Sequence, residues 1–141
     1  TPEVTEAIAD ELREIIEKVY PKGKRYRMKI HPATKVFQSL RIAVNREFEH
    51  LEKFLEQAIK CLKSRGRLAV ITFHSGEDGL VKRFFKNQER GCVCPPEFPI
   101  CVCGRKPLVK IITKKPIEPK LAEIKENQRA RSAKLRVIEK L

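Results

Sequence analysis

His74, Ser75, Glu77 and Asp78 crowd into "FHSGEDGLVKRFF" (residues 73–85), directly after the apolar run "RLAVIT" (67–72). An imidazole, a hydroxyl and two carboxylates this close can donate, accept and move protons. The same residues can do purely structural work. Ser75 and Asp78 fit the Ser-x-x-acid pattern of a capping box at a helix start. A cap on those two residues leaves His74 and Glu77 unexplained. Ligands of open α/β sheets sit beyond the carboxyl ends of the strands, where His74 would fall. His74, Ser75, Glu77 and Asp78 are therefore candidate catalytic residues as well as candidate cap residues.

Three further groups could carry chemistry. In "HPATKVFQSLRIAVN" (31–45), headed by His31, residues Gln38, Arg41 and Asn45 recur at steps of three and four. They share one helical face. Amide and guanidinium groups hold bases and phosphates, and equally make a solvated stripe. Cys92, Cys94, Cys101 and Cys103 form two Cys-x-Cys pairs within twelve positions. Four thiolates can close around a tetrahedral zinc, although Cys-x-Cys is tighter than the usual Cys-x2-Cys. Two disulfides and four unbound thiols are the other readings. Cys61 stands apart and reads as ordinary core. Last, "NQRARSAKLR" (127–136), with Arg129 and Arg131, holds four basic residues in ten. It reads as a phosphate-contacting edge or a solvated surface.

The elements that must position these groups follow from periodicity. Val4, Ile8, Leu12, Ile15, Ile16 and Val19 predict a helix over 2–19, with Thr1 as cap and Pro2 in the first turn. "KGKRYRMKI" (22–30) is a basic connector. Val36, Leu40, Val44, Phe48, Leu51, Leu55, Ile59 and Leu62 predict one long helix over 33–63, closed by Gly66 in a left-handed turn. "RLAVITF" is a buried strand, residues 76–87 a helix, 91–107 a Cys- and Pro-rich loop. "LVKIIT" (108–113) is a second strand, "PKLAEIKEN" a short helix and "KLRVIEKL" (134–141) a final strand that can also be read as helical. The alternation is that of an α/β protein. Three strands make a thin sheet, more a part of a larger one than a whole.

The 141 residues suffice for one domain with a core, and no apolar run reaches the length of a membrane span. With no signal segment, a soluble cytoplasmic protein is the expectation. Net charge is +13, unevenly spread: residues 1–20 balance to −4, while 21–41 hold seven cations and no acid. From Gly104 onward the balance is +8. Such a surface attracts RNA or DNA. No G-x-G-x-x-G loop, Walker loop or G-x-S-x-G turn is present, so a nucleotide-cofactor cradle and a serine-hydrolase elbow are excluded from these residues.

"HPATKVFQSLRIAVN", "GRLAVITFHSGED", "VCPPEFPICVCG", "TKKPIEP" and "RARSAKLR", in this order, resemble the C-terminal half of the bacterial ribosomal RNA small-subunit methyltransferase H family, also called MraW. The resemblance spans nearly the whole chain. It implies the second half of a Rossmann-like, S-adenosylmethionine-dependent methyltransferase core (31–141, with the Cys-rich loop 91–107), preceded by the end of a helical insert domain (1–30). "KLRVIEKL" would then slot antiparallel beside "RLAVITF". The implied reaction methylates N4 of a cytidine in the decoding region of 16S rRNA, on the small ribosomal subunit. The main S-adenosylmethionine loop would lie upstream of this chain, which alone is expected to be inactive and to bind no cofactor.

Within that resemblance, His74, Ser75, Glu77 and Asp78 would rim the target base. His31, Gln38, Arg41 and Asn45 would brace the rim or touch the nucleotide, and the connector and tail, with Arg129 and Arg131, would hold the rRNA backbone. The family usually shows a large apolar residue where Gly76 stands and an arginine where Gly79 stands. A different class of function stays open: a non-enzymatic, zinc-stabilised RNA-binding module. An isolated half-sheet exposes an edge and an apolar face, which also favours self-association.

Overall fold

The computed structural model describes residues 2–20, 31–91, 94–95, 97–100 and 102–141. The expected Thr1 cap and the 22–30 connector lie outside the described residues. Three helices precede the first strand, after which strands and helices alternate: α1 (Pro2–Val19), α2 (Pro32–Val44), α3 (Glu47–Cys61), β1 (Arg67–Thr72), α4 (Ser75–Arg90), β2 (Val109–Ile111), α5 (Leu121–Glu126), a 3-10 turn (Gln128–Ser132) and β3 (Lys134–Lys140). They fall into two compact units, Thr1–Glu47 and Phe48–Leu141. Among the described residues no helix is long and apolar enough to cross a membrane.

In the first unit α1 packs against α2. Ile16 is buried there, whereas Ile8, Ile15, Val19, Leu40 and Val44 of the same apolar stripes are exposed.

The expected helix over 33–63 is two helices. Arg46 adopts a left-handed backbone (φ 50°) and breaks the ladder between α2 and α3. Asn45 caps α2, with its N–H donated to the Arg41 carbonyl at 2.9 Å. Its side-chain Nδ2 donates to Glu47 Oε1 at 3.3 Å. A short amide beside the chain competes with the helix in this way, and the spacing of apolar residues does not register one left-handed residue. A similar correction applies after α3. Arg65 (φ 63°), not Gly66, is the left-handed residue. Gly66 is needed for another reason: a Cβ there would lie 2.8 Å from the Lys63 carbonyl oxygen. Cys61, expected in the core, is exposed at the end of α3.

The second unit is built on a three-stranded antiparallel sheet of order β1-β3-β2. The last strand lies antiparallel beside "RLAVIT", as the resemblance implied. Register sets Leu68 opposite Ile138 and Val70 opposite Arg136, so these four share a face. Onto that face pack Leu55 and Ile59 of α3 and Leu80, Val81 and Phe85 of α4, with Val109 of β2 completing the core. Ile71 on the other face of β1 is exposed. β2 is shorter than expected because the Ile112 and Thr113 N–H groups both turn to the Val137 carbonyl.

The chain end closes α3. Lys140 Nζ donates to the carbonyls of Ile59 (2.8 Å) and Leu62 (2.7 Å). A cation on the orphan carbonyls of a helix end is favoured by both hydrogen bonding and the helix dipole. Lys140→Met should therefore cost about 1–2 kcal/mol, read by urea denaturation of the 141-residue chain. An unchanged midpoint would show that water replaces the ammonium without loss.

Candidate active site

β1 ends at Thr72, and the chain turns into α4 through Phe73 and His74. The expected Ser75–Asp78 cap is displaced by one residue. The N-cap is His74, whose extended backbone (φ −142°, ψ 162°) precedes the first helical turn. Its Nδ1 accepts the Glu77 N–H at 3.3 Å. Glu77 reaches back, and its Oε2 accepts the Phe73 N–H at 2.9 Å. Reciprocal satisfaction of a helix start is the capping-box principle, here with imidazole in place of a hydroxyl. A sequence pattern that favours Ser at the cap could not show it.

This cap decides what His74 can do. An Nδ1 that accepts leaves the proton of the neutral ring on Nε2. That nitrogen is buried, lies 3.3 Å from Glu77 Oε1, and finds no partner in hydrogen-bond geometry among the described residues. His74 thus offers an N–H, and Glu77 offers the neighbouring acceptor. The imidazole also lies against Phe48, with ring centroids 6.1 Å apart. Ser75 sits at the first helical position and is exposed.

Asp78 has a different occupation. Its Oδ1 accepts from Arg136 Nε at 2.7 Å and its Oδ2 from Arg136 Nη2 at 3.0 Å. Both residues are buried. Lys134 Nζ lies 4.0 Å from Oδ2. The Arg136 hydrogen bonds hold the Asp78 carboxyl below its ordinary value, against the opposing effect of burial and with further help from the Arg136, Lys134 and Lys82 charges. A carboxylate so engaged is a weak proton acceptor. Asp78 anchors the first turns of α4 to the central strand β3, and so positions the His74–Glu77 pair. Arg136 falls by sequence within the basic tail, and its role here is one that motif spacing does not reveal. Arg136 shares its face of β3 with Lys134, Ile138 and Lys140, so the pattern of "KLRVIEKL" does not single it out.

The two glycines of α4 are not equivalent. A Cβ at Gly76 would lie 2.8 Å from Phe48 Cζ and 3.2 Å from the His74 ring, whereas one at Gly79 would meet only Arg83 Nη1 at 3.4 Å. Gly79→Ala should stabilise the chain by up to about 1 kcal/mol. Gly76→Ala should fail to do so, because the Phe48 and His74 rings occupy the space. Paired thermal melts check this; equal gains at both sites would contradict the crowding.

The remaining candidates divide between the units. In the first, His31 caps α2, its Nδ1 accepting the Ala33 N–H, and its Nε2 lies 3.3 Å from Glu17 Oε1 on α1. Arg41 and Asn45 converge, but on a residue that the sequence does not single out: Arg41 donates to both oxygens of Glu47 (2.8 and 3.2 Å). Gln38, on the same helix, is half-buried. In the second unit, Arg129 and Arg131 are exposed on the 3-10 turn. Cys94 and Cys103 are half-buried, while Cys92 and Cys101 lie outside the described residues.

Comparison with known proteins now bears on this geometry. Over 131 residues the chain is 53% identical to "Ribosomal RNA small subunit methyltransferase H" of Finegoldia magna, covering 93% of this chain and 42% of that protein. The protein of the same name from Carboxydothermus hydrogenoformans is 55% identical over 128 residues, which is 91% of this chain and 40% of that one. The chain thus spans about two fifths of the length of the curated relatives it matches. The profile of the MraW methylase family matches residues 4–141, and the chain belongs to that family.

Proposed function

We propose that this chain is the C-terminal portion of an S-adenosylmethionine-dependent rRNA methyltransferase acting on N4 of a cytidine in the decoding region of 16S rRNA. Family membership over residues 4–141 carries the reaction class. The His74–Glu77 pair at the carboxyl end of β1 supports the assignment of the nucleotide side. In this reading residues 31–141 are the second half of a Rossmann-like core, and 1–30 the end of a helical insert. The N–H groups at the start of α4 are partly taken by its own cap, so this turn does not fit the methyl donor. The donor's cradle is assigned to the part of the longer relatives that this chain does not span, and no step is routed through it.

An exocyclic cytosine amine is a weak nucleophile because its lone pair is delocalised into the ring. It must be held in line and must lose a proton, and the base must leave its stack to be reached. Glu77 Oε1 is the proton acceptor in this proposal. The exposed Ser75 hydroxyl orients the base, His74 holds Glu77 in place through the cap and its buried Nε2, and Asp78 is a positioning residue. His31, Gln38, Arg41 and Asn45 hold their own unit in shape or touch the nucleotide, while Arg129 and Arg131 contact the rRNA backbone. The exposed sheet face, with Ile71 open to solvent, supports self-association.

The test joins this chain to the N-terminal segment of the Finegoldia magna relative and assays methyl transfer to small ribosomal subunits. N4-methylcytidine in the recovered rRNA is the expected product. Label in another nucleotide, or none, would overturn the assignment. Zinc belongs to the same proposal, with Cys92, Cys94, Cys101 and Cys103 as four ligands. Metal analysis of protein purified without chelator should find one zinc per chain. No metal, with stability unchanged in Cys94→Ser and Cys103→Ser, would leave the cysteines as loop residues.

A further inference from the structure

We propose that the cavity between α4, β2 and β3 is a binding site for a backbone phosphate of RNA. Its volume is about 230 Å³, and Lys82, Lys86 and Lys114 are among the residues that line it. These three lysines are exposed, and none has a carboxylate partner within ion-pair distance among the described residues. Its inner wall is Arg136, whose charge is already matched by Asp78. Glu89 is the one acid in the lining, and its Oε1 is turned to the Ile111 N–H at 2.8 Å. The cavity therefore carries a surplus of two positive charges, with its acid held by the backbone.

The shape narrows the ligand. Phe85 and Ile111 form an apolar floor, which suits a ribose, while the lysine rim suits the phosphate beside it. The volume is below the range of pockets that enclose whole drug-sized ligands, so a segment of a longer chain fits better than a free nucleotide cofactor. Thr113 Oγ1 accepts the Val137 N–H at 2.8 Å, which makes it a fixed part of the wall. Along α4, Lys82 and Lys86 lie roughly 12 and 18 Å beyond His74 at 1.5 Å per residue. A strand held here would be gripped several nucleotides from the base presented to His74. The inference rests on the RNA substrate proposed above, but not on methyl transfer.

The experiment measures binding of a fluorescein-labelled single-stranded RNA of about 20 nucleotides, a length that spans such sites, to the chain as a function of salt. Lys82→Gln/Lys86→Gln/Lys114→Gln is compared with an equal loss of charge elsewhere, Lys53→Gln/Lys63→Gln/Lys125→Gln. The cavity variant should lower affinity tenfold or more and reduce the salt slope by roughly 0.7, for the one phosphate no longer neutralised; the control should change both far less. Glu89→Gln, which keeps the bond to Ile111, should raise affinity a few-fold. Inorganic phosphate should displace RNA from the wild-type chain better than chloride at matched ionic strength, and lose that advantage in the cavity variant. Equal effects of the two triple variants, or no RNA binding by the wild type, would overturn the proposal. If the cavity variant still bound RNA fully and only its phosphate sensitivity changed, the RNA part would fall and a free-anion site would remain. Weakened RNA binding confined to the cavity variant, in a protein that proves inactive in methyl transfer, would uphold this site while the enzymatic reading fell.

Discussion

Arg136→Met is expected to destabilise the chain by about 3–5 kcal/mol, the usual cost of stranding one member of a buried ion pair. The bidentate pairing with Asp78 is short and buried on both sides, so solvent cannot replace the missing guanidinium. Asp78→Asn should cost a similar amount, because it leaves the Arg136 charge uncompensated. The double variant Asp78→Asn/Arg136→Met should recover much of the loss, since two uncharged partners no longer require each other. Urea denaturation of the four proteins closes the cycle. A loss below about 1 kcal/mol in both single variants would place the pair with ordinary surface bridges.

The same pair predicts a pH dependence. The Asp78 carboxyl is held below its ordinary value of 3.8, first by the Arg136 hydrogen bonds. The folded state therefore favours the carboxylate more than the unfolded state does. Its contribution is fully present above the ordinary value and is lost as pH falls through the lower folded value. Stability measured from neutral pH down through about pH 4 and below should show a component that Asp78→Asn lacks. Parallel curves for wild type and variant would remove the carboxylate from the account.

The second large effect concerns the His74–Glu77 pair, measured in this chain joined to the N-terminal segment of the Finegoldia magna relative, and rests on the methyl transfer proposed above. Glu77→Gln keeps an oxygen for the Phe73 N–H and so should leave stability within about 0.5 kcal/mol, as for changes that disturb no buried packing. It removes the carboxylate, and methyl transfer should fall tenfold or more, about 1.4 kcal/mol of transition-state stabilisation. His74→Asn keeps a capping acceptor but loses the Nε2–H, and should also lower transfer at near-normal stability. His74→Ala should lose both activity and roughly 1 kcal/mol of cap. Single-turnover methylation of small-subunit rRNA, with melts in parallel, separates these outcomes. Full activity in both cap-preserving variants would mean that His74 and Glu77 serve only as the helix cap.

The sequence alone determined the order of strands and α-helices from β1 onward, the placement of His74 at the end of a strand, and the family, because each rests on local patterns. Strands, turns and helix stripes repeat with periods that a linear string records. The final strand was less legible, because "KLRVIEKL" breaks strict alternation at Val137–Ile138 and can also be read as helical; pairing with β1 and β2 decides it.

What only the tertiary structure decided was which polar atom meets which. Two carboxylates one residue apart, Glu77 and Asp78, look alike in the string. One faces the cap and the imidazole, and the other faces Arg136 across 58 residues of chain. That difference follows from helical geometry, where adjacent residues point about 100° apart. Gly66 and Arg65 were exchanged for the same kind of reason. A left-handed residue can be a non-glycine when its neighbour's close approach to a carbonyl already demands the glycine. The break at Arg46 was invisible because apolar spacing continues through it, while the Asn45 and Arg41 bonds to Glu47 that accompany it depend on side-chain directions that spacing does not encode.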